Sequence, residues 1–228
     1  IVDEATQILE PQLLWVLTKK STDGKQAVGK FVLIGDHKQL PAVVLQNKEH
    51  SEVYDEELRK AGLYNLKDSL FERLYRTHFK DNDQVALDML CRQGRMHPLV
   101  ADFSNNAFYE GRLVPVGLPH QLEPIDTPVL FIPSQRDEHS VTGKTNCYEA
   151  RMAADLAEKV WRKYREDFSA ERTLGIITSY RSQIALIRQE LELKGIPELM
   201  NVSVDTVERY QGSERDVIIY SFSVNRLH

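Results

Sequence analysis

The sequence contains no apolar run long enough to cross a lipid bilayer, and its first residues do not have the pattern of a secretory signal peptide. It has only two cysteines, Cys91 and Cys147, which lie far apart and have no metal-ligating neighbours. The seven histidines show no zinc-binding spacing either. These absences argue against a structural zinc module and favour a reducing compartment. We therefore expect a protein of the cytoplasm, or of the nucleus in a eukaryote, without a membrane partner.

The composition is that of a globular protein. In 228 residues, 42% are hydrophobic and 28% charged, so the chain can form one large domain or two small ones. The net charge of −5 argues against a sequence-independent DNA coat, but a basic groove can lie on an acidic molecule. There is no internal repeat and no low-complexity segment.

Apolar runs and helical periodicities alternate along the chain, which predicts an α/β fold with parallel sheets and right-handed crossovers. Strands are predicted at 1–2, 31–34, 85–89, 129–132, 173–178, 202–207 and 217–224. Helices are predicted at 8–19, 66–75, 96–109, 146–164 and 182–194, the fourth opened by a capping box of Asn146 and Glu149. Residues 46–60 are predicted to form a loop or a short helix, and the connection before residue 129 is rich in proline (Pro115, Pro119, Pro124, Pro128).

Two adjacent carboxylates, Asp3 and Glu4, follow the first predicted strand. Ligands of α/β proteins bind at the carboxyl ends of parallel strands, and neighbouring side chains on an extended chain point to opposite sides. Asp3 could therefore hold Mg²⁺ while Glu4 takes a proton from an attacking water. The alternative is a solvated acidic loop.

A second polar loop, residues 35–41, follows the second predicted strand. Gly35 permits a tight exit from that strand. Gln39 can both donate and accept a hydrogen bond, which suits contact with a terminal phosphate or an attacking water. The alternative is a turn with a solvated glutamine.

No convincing phosphate-binding loop is present. The stretch 24–30 has the glycine and lysine spacing, but Phe31 replaces the hydroxyl residue that should ligate Mg²⁺, and the stretch precedes a strand instead of a helix. The stretch 143–145 precedes a predicted helix, but Glu138 stands where the first glycine should be, and its carboxylate would repel phosphate.

Six short motifs occur in one order and at plausible spacing along the chain. They are DEATQ at 3–7, GDHKQLP at 35–41, RMHP at 95–98, FYEG at 108–111, ITSYRSQ at 177–183 and VDTVERYQGSERD at 204–216. Together they resemble the superfamily 1 helicases, in the branch of the nonsense-mediated-decay RNA helicases and their DNA-acting relatives. The resemblance covers essentially the whole chain.

The resemblance implies two domains of the RecA-like P-loop NTPase fold, with ATP between them and a single nucleic-acid strand across the top. Residues 1–90 would be the last part of the first domain, and residues 91–228 a nearly complete second domain. ATP and Mg²⁺ are the implied cofactors, and single-stranded DNA or RNA is the implied partner. The oligomeric state is open, with a monomer as the expectation.

The resemblance also implies roles for individual residues around the nucleotide. Asp3 resembles the Mg²⁺ ligand, Glu4 the catalytic base, Gln39 the γ-phosphate sensor and Arg95 an arginine finger. The loop that contacts the nucleotide and couples it to nucleic acid would contain Gln211, Gly212 and Glu214. The alternative for Arg95 is a surface or helix-capping arginine.

The residues implied to bind nucleic acid are His37, Lys38, Tyr180, Arg181 and Thr206. An aromatic ring at Tyr180 could stack on a base without sequence preference. A tyrosine packed on its own sheet edge is an equally good interpretation. His37 and Lys38 could likewise be solvated.

The sequence departs from the family pattern in three ways. Gly94 stands where the family has a tyrosine before the arginine, so the tyrosine's contact is lost. The family's phosphate loop should lie before Ile1, and its final arginine motif after His228. Because the chain starts with Ile1 inside a predicted strand, we expect a fragment that by itself neither holds ATP tightly nor hydrolyses it.

The predicted activity is ATP hydrolysis coupled to translocation along a single strand, in the 5′-to-3′ direction. Two alternatives remain open at this point. One is an NTPase that remodels protein–nucleic-acid complexes without unwinding a duplex. The other is a non-enzymatic nucleic-acid clamp.

Overall fold

A computed structural model describes residues 1–80, 85–116 and 128–223 of the protein. The chain divides into two compact units, Ile1–Cys91 and Arg92–His228. In the described ranges, no helix is both long enough and apolar enough to span a membrane. The predicted positions Pro119, Pro124 and Val224 lie outside the described residues.

Three α-helices form most of the regular structure in the described part of the first unit. They are α1 (Glu10–Leu17), α2 (Glu56–Lys60) and α3 (Leu70–Lys80), with short 3₁₀ helices at Ala5–Gln7 and Lys48–His50. Pro11 lies in the first turn of α1, where its missing N–H costs no hydrogen bond. The predicted helices at 8–19 and 66–75 are thus confirmed, the second being displaced toward its C-terminus.

A buried ion pair joins α1 to α3. The Glu10 carboxylate accepts from Arg73 at Nε (2.8 Å to Oε2), and the side chains of both residues are largely buried. Ser69 and Glu72 form a capping box at the start of α3, because the Ser69 hydroxyl accepts from the Glu72 N–H (3.1 Å) and the Glu72 carboxylate accepts from the Ser69 N–H (3.2 Å). The two contacts fix where α3 begins and which face it turns to α1.

The strands predicted in the first unit are reduced or absent. Val2 and Leu33 form an isolated parallel bridge, with hydrogen bonds from the Val2 N–H to the Val32 carbonyl (2.9 Å) and from the Ile34 N–H to the Val2 carbonyl (2.8 Å). The predicted parallel pairing is present, but neither segment continues as a strand. The predicted strand at 85–89 is wrong: the segment forms no strand, and the Val85 side chain is 99% exposed.

The second unit begins with a pair of short parallel strands, β1 (Arg92–Gln93) and β2 (Val114–Pro115). Helix α4 (Pro98–Phe108) connects them, and the His97 imidazole caps it by accepting from the Leu99 N–H (3.2 Å). The predicted helix at 96–109 is confirmed. Its apolar side chains are mostly exposed, as at Phe103, and Ala101 is buried.

A three-stranded parallel sheet forms the centre of the second unit. Its elements are α5 (Cys147–Tyr164), a 3₁₀ helix (Arg165–Asp167), β3 (Leu174–Thr178), α6 (Arg181–Leu193), α7 (Pro197–Met200), β4 (Ser203–Thr206), α8 (Val207–Tyr210) and β5 (Val217–Ser221). The strand order is β4-β3-β5, all parallel. The predicted α/β class, with helices flanking parallel sheets, is confirmed. The strand predicted at 129–132 is wrong, and most of its side chains are exposed.

The core of the second unit lies between α5, α6 and this sheet. Helix α5 presents four buried alanines, Ala150, Ala153, Ala154 and Ala157. Their small side chains let the helix lie close to the buried Leu174 and Ile176 of β3 and to Ile187 of α6. This packing holds the carboxyl ends of the strands and the N-terminus of α6 in one place, which is where Tyr180, Arg181 and Thr206 lie.

Candidate functional site

Asp3 and Glu4 directly follow the Val2–Leu33 bridge, and both side chains are exposed. Glu4 adopts a left-handed backbone conformation (φ 49°), which is rare for a residue with a side chain and is often found at functional sites. Its carboxylate accepts from the Gln7 amide (2.9 Å), and its N–H donates to Asp3 Oδ1 (2.9 Å). The two carboxylates are thus held by neighbouring groups and still open to solvent.

The donor chemistry of Asp3 fits Mg²⁺, which prefers carboxylate oxygens and usually takes its other ligands from water and phosphate. Within the described residues, no group of three or more acidic, histidine or cysteine side chains could hold a metal ion. A magnesium ion at Asp3 would therefore depend on the oxygens of a bound nucleotide.

The loop after Ile34 packs directly against this acidic segment. A Cβ at Gly35 would lie 3.1 Å from both the Thr6 backbone nitrogen and its methyl carbon, so the residue is small because the two loops touch. The Ala5 N–H also donates to the Ile34 carbonyl (2.8 Å). Glycine was predicted here for a tight turn, and the structure gives close approach as the reason instead.

Gln39 is positioned by Asp36. The Asp36 carboxylate accepts from the Gln39 amide (3.0 Å) and from the Lys38 N–H (2.9 Å). The sequence analysis assigned no role to Asp36, although it lies inside the motif at 35–41. An aspartate carboxylate commonly accepts from the backbone N–H two residues later and so forms a turn. This local pattern is the feature of the sequence from which the role of Asp36 could have been predicted.

His37 packs on an aromatic side chain, while Lys38 is exposed. The ring centroids of His37 and Tyr75 are 4.1 Å apart. Burial lowers the pKa of His37, and the positive charge of Lys38 lowers it further, against the opposing effects of Asp36 and Glu72. The imidazole is therefore mostly neutral at pH 7, so Lys38 is the better cation of the two for a phosphate.

In the second unit, Arg95 and Glu214 are brought together although they are far apart in sequence. Arg95 Nε donates to Glu214 Oε2 at 2.9 Å, and both side chains are largely exposed. The backbone around Arg95 is held by Gln93, whose carboxamide donates to the Met96 carbonyl (2.9 Å) and accepts from the Met96 N–H (2.9 Å). Gln93 lies just before the motif at 95–98, and no role is predicted for it from the sequence.

Gln211 and Gly212 lie in the exposed turn that leads from α8 to Glu214. Gly212 has a positive φ of 78°, which favours glycine, and the Ser213 N–H donates back to the Tyr210 carbonyl (3.0 Å). The turn thus presents its polar groups outward, next to the Arg95–Glu214 pair.

Tyr180 and Arg181 mark the start of α6, and both side chains are exposed. The ammonium of Lys144 lies 5.8 Å from the centroid of the Tyr180 ring. Thr206 differs, because it is 9% exposed and its hydroxyl influences the carboxyl group of Glu208. The pKa of Glu208 is lowered, first by its own backbone N–H and then by this hydroxyl.

A buried polar cluster, which the sequence analysis did not predict, ties the N-termini of α5 and α6 to the end of β5. The fully buried Gln183 carboxamide accepts from the Asn146 N–H (2.8 Å) and donates to the Asn146 carbonyl (2.9 Å) and to the Ser221 hydroxyl (3.2 Å). Glu149 in turn accepts from the Ser221 hydroxyl (2.7 Å) and the Ser223 N–H (2.8 Å). Gln183 closes the motif at 177–183, so its place in that motif was the only signal.

Comparisons with known proteins find the same relatives along the whole chain. A family profile described as an AAA domain matches residues 66–226, and a second profile with the same description matches residues 1–47. The ATP-dependent helicase NAM7 of Saccharomyces cerevisiae is 32% identical over 97% of this chain, which corresponds to 21% of that protein.

Two further relatives give the same alignment coverage of this chain. Regulator of nonsense transcripts 1 of Dictyostelium discoideum is 32% identical over 97% of the chain and 16% of its own length. Helicase SEN1 of Saccharomyces cerevisiae is 30% identical over 97% of the chain and 9% of its own length. The chain thus spans about a fifth or less of the length of these three curated relatives.

Proposed function

Because the chain belongs to the superfamily 1 helicases, in the branch of the nonsense-mediated-decay helicases, we propose that it is part of a helicase core that couples ATP hydrolysis to 5′-to-3′ movement along single-stranded DNA or RNA. The family is the one that the six motifs resembled, so that prediction is confirmed. The observation that carries the proposal is the alignment of 97% of the chain with proteins named as ATP-dependent helicases.

In this proposal the acidic segment performs the proton transfer. Glu4 accepts the proton of the water that attacks the γ-phosphate, and its exposed carboxylate has the required access to solvent. Gln39, oriented by Asp36, hydrogen-bonds that water or the phosphate. Asp3 would hold Mg²⁺, which when bound would offset the negative charge of the phosphates.

Arg95 would stabilise the negative charge that spreads over the transferred phosphoryl group. Its guanidinium is permanently charged and forked, which suits this task. Glu214 already orients that guanidinium through the 2.9 Å contact at Nε. The loop containing Gln211 and Gly212 would then link nucleotide contact to movement of the nucleic acid.

The strand of nucleic acid would contact the start of α6. Tyr180 offers a half-exposed ring for stacking on a base, and Lys144 and Arg181 place positive charge beside it for the phosphates. Lys38 would add a cation from the first unit. Thr206, which is 9% exposed, would contribute less than these exposed side chains.

The proposal is tested in the full-length protein by measuring ATP hydrolysis with and without single-stranded RNA and single-stranded DNA. Stimulated hydrolysis is expected, with a loss of about 10²–10⁴ in kcat for Glu4→Gln and about 10³–10⁵ for Arg95→Ala. The matched controls are Glu57→Gln and Arg188→Ala, which change exposed side chains outside the candidate site.

The same preparation separates the alternatives. Strand separation on a duplex with a 5′ single-stranded tail supports a helicase, whereas stimulated hydrolysis without strand separation indicates a remodelling NTPase. Binding of single strands with no hydrolysis indicates a clamp and contradicts the enzymatic proposal.

A further inference from the structure

Tyr210, the last residue of α8, is buried against a glycine of the central sheet. It is 6% exposed, and its phenol ring lies over Gly175 of β3. A Cβ on Gly175 would overlap the Tyr210 hydroxyl oxygen and would lie 2.6 Å from Cζ. The ring can therefore occupy this position only because residue 175 has no side chain.

The Tyr210 hydroxyl has no hydrogen-bond partner among the described residues. The contacts that the described residues make with the Tyr210 side chain are therefore contacts to its ring. The shape and rigidity of the Tyr210 ring are the features that matter for its packing on Gly175. Tyr210 thus packs on Gly175 at the point where the chain leaves α8.

Arg215 covers the same ring from the other end of the loop. Its guanidinium carbon lies 5.5 Å from the centroid of the Tyr210 ring, and its Cγ would lie 3.1 Å from a Cβ on Gly175. The Asp216 N–H then donates to the Arg172 carbonyl (3.0 Å), and the chain continues into β5. Both ends of the segment 211–214 are therefore fastened at one point on the sheet.

The middle of this segment is exposed and carries the side chain that contacts Arg95. The turn is closed by the bond from the Ser213 N–H to the Tyr210 carbonyl (3.0 Å), and Glu214 then reaches Arg95 at 2.9 Å. A shift of the Tyr210 ring would therefore move the turn, then Glu214, and with it the guanidinium. Misplacing a reacting group by about 1 Å can cost on the order of 10²-fold in rate.

We propose that Tyr210 is a positioning residue that places Glu214, and through it Arg95, by seating its ring on Gly175. The inference rests on the proposed function, because the reaction that it positions is the proposed ATP hydrolysis. Tyr210 itself touches none of the reacting groups. The seat on Gly175 determines how far the Gln211–Glu214 turn stands above the sheet.

The first experiment measures amide hydrogen exchange in this chain and does not depend on catalysis. Tyr210→Leu is expected to speed exchange of the Ser213 and Asp216 amides more than about tenfold, while amides of β3 keep their protection. Unchanged exchange at 211–216 overturns the proposal. Equal loss of protection throughout β3 also overturns it, because Tyr210 would then only support the fold.

The second experiment is a double-substitution cycle on kcat in the full-length protein. Tyr210→Leu is expected to lower kcat about 10- to 100-fold with a smaller change in the KM for ATP, and Tyr210→Phe, which keeps the ring, should retain most of that rate. In a Glu214→Ala background, Tyr210→Leu should have no further effect, because it acts through Glu214. Additive losses overturn the positioning role.

A steric variant checks the seat independently of any loss of aromatic contact. Gly175→Ala should lower kcat and speed exchange at 211–216 as Tyr210→Leu does, whereas Gly29→Ala, where a Cβ meets nothing within 4 Å, should do neither. Full activity of Gly175→Ala overturns the proposal. If the unsubstituted full-length protein shows no stimulated hydrolysis, the proposed function fails, and the catalytic part of this inference fails with it whatever the exchange shows.

Discussion

Replacing Gln183 with methionine should destabilise the second unit strongly while leaving its shape intact. The side chain is fully buried, and its carboxamide bonds to both the N–H and the carbonyl of Asn146. Methionine has a similar length and volume, so Gln183→Met removes the polar contacts without opening a large cavity. The Asn146 N–H would lose this partner at the N-terminus of α5, whereas the Asn146 carbonyl would still accept from the Ala150 N–H (3.1 Å).

The magnitude follows mainly from the Asn146 N–H. Leaving a buried donor or acceptor unsatisfied costs about 1–3 kcal/mol each. The Ser221 hydroxyl also loses its contact to Gln183 (3.2 Å), but its bond to Glu149 (2.7 Å) remains, so its contribution is small. We expect a loss of about 1–3 kcal/mol in the free energy of unfolding, a substantial part of the roughly 5–15 kcal/mol typical of native proteins.

Urea unfolding followed by circular dichroism measures this loss from the change in midpoint at constant m-value. The matched control is Gln189→Met on the same helix, where the side chain is exposed and a change within about 0.5 kcal/mol is expected. A loss below about 1 kcal/mol for Gln183→Met, with an unchanged m-value, would refute the reasoning, because the cluster would then not satisfy the Asn146 backbone as described.

Three further predictions concern other parts of the chain. An NMR titration should give His37 a pKa below its ordinary value. Because the unfolded chain then binds the proton more readily, the free energy of unfolding should fall as the pH drops below about 6.5. His37→Phe should remove this pH dependence, and an ordinary pKa for His37 would contradict the prediction. Glu10→Ala should lower the free energy of unfolding, measured by urea unfolding, by about 3 kcal/mol, because Arg73 would remain buried without its carboxylate partner. A loss below about 1 kcal/mol would show that this ion pair contributes little to stability. Tyr180→Ala should weaken binding of a fluorescent single strand by about 1–3 kcal/mol, with Tyr180→Phe near the unsubstituted value; equal binding by all three would show that the ring only packs on its own sheet.

Strands β3 and β5 could be predicted from sequence because each is a largely apolar run next to a helix, as buried parallel strands are, and β4 because Val202 and Val204 alternate with polar residues. The apolar stretches at 85–89 and 129–132 carry a similar local signal and form no strand. What differs is the presence of a neighbouring strand, which depends on residues far away in sequence. In the first stretch the Met89 N–H donates to the Asp88 side chain (2.8 Å), a local alternative to a sheet hydrogen bond.

The start of α5 shows how far a local rule extends. The predicted cap is present, because Asn146 Oδ1 accepts from the Glu149 N–H (3.0 Å). The reciprocal half of the capping box is absent: Gln183 accepts from the Asn146 N–H, and Glu149 instead bonds to Ser221, 72 residues away. The local capping-box pattern therefore identifies where the helix begins. It does not reveal the tertiary contacts that replace the second hydrogen bond of the box.

The candidate site divides in the same way. Residues with a chemical task, such as Glu4 and Arg95, stand in short motifs and could be predicted by resemblance, and their roles remain predictions. Residues in contact with the motif residues, such as Asp36, which orients Gln39, and Tyr210, which packs on Gly175, could not be assigned, because these contacts are created only by the fold. From a single sequence, the chemical role of an exposed side chain can be predicted from its residue type, whereas the packing partners of a buried side chain cannot.

The departure at Gly94 illustrates what a lost motif residue does and does not imply. The sequence predicts that the tyrosine's contact is missing, which suggests a weaker site. Yet the turn before α4 is closed by Gln93, whose carboxamide bonds to both the N–H and the carbonyl of Met96 (2.9 Å each), while Arg95 contacts Glu214. Neither contact involves a side chain at position 94. The absence of the tyrosine therefore removes one surface for a ligand without removing the contacts that hold Arg95, and affinity for the nucleotide should be affected more than the placement of the guanidinium.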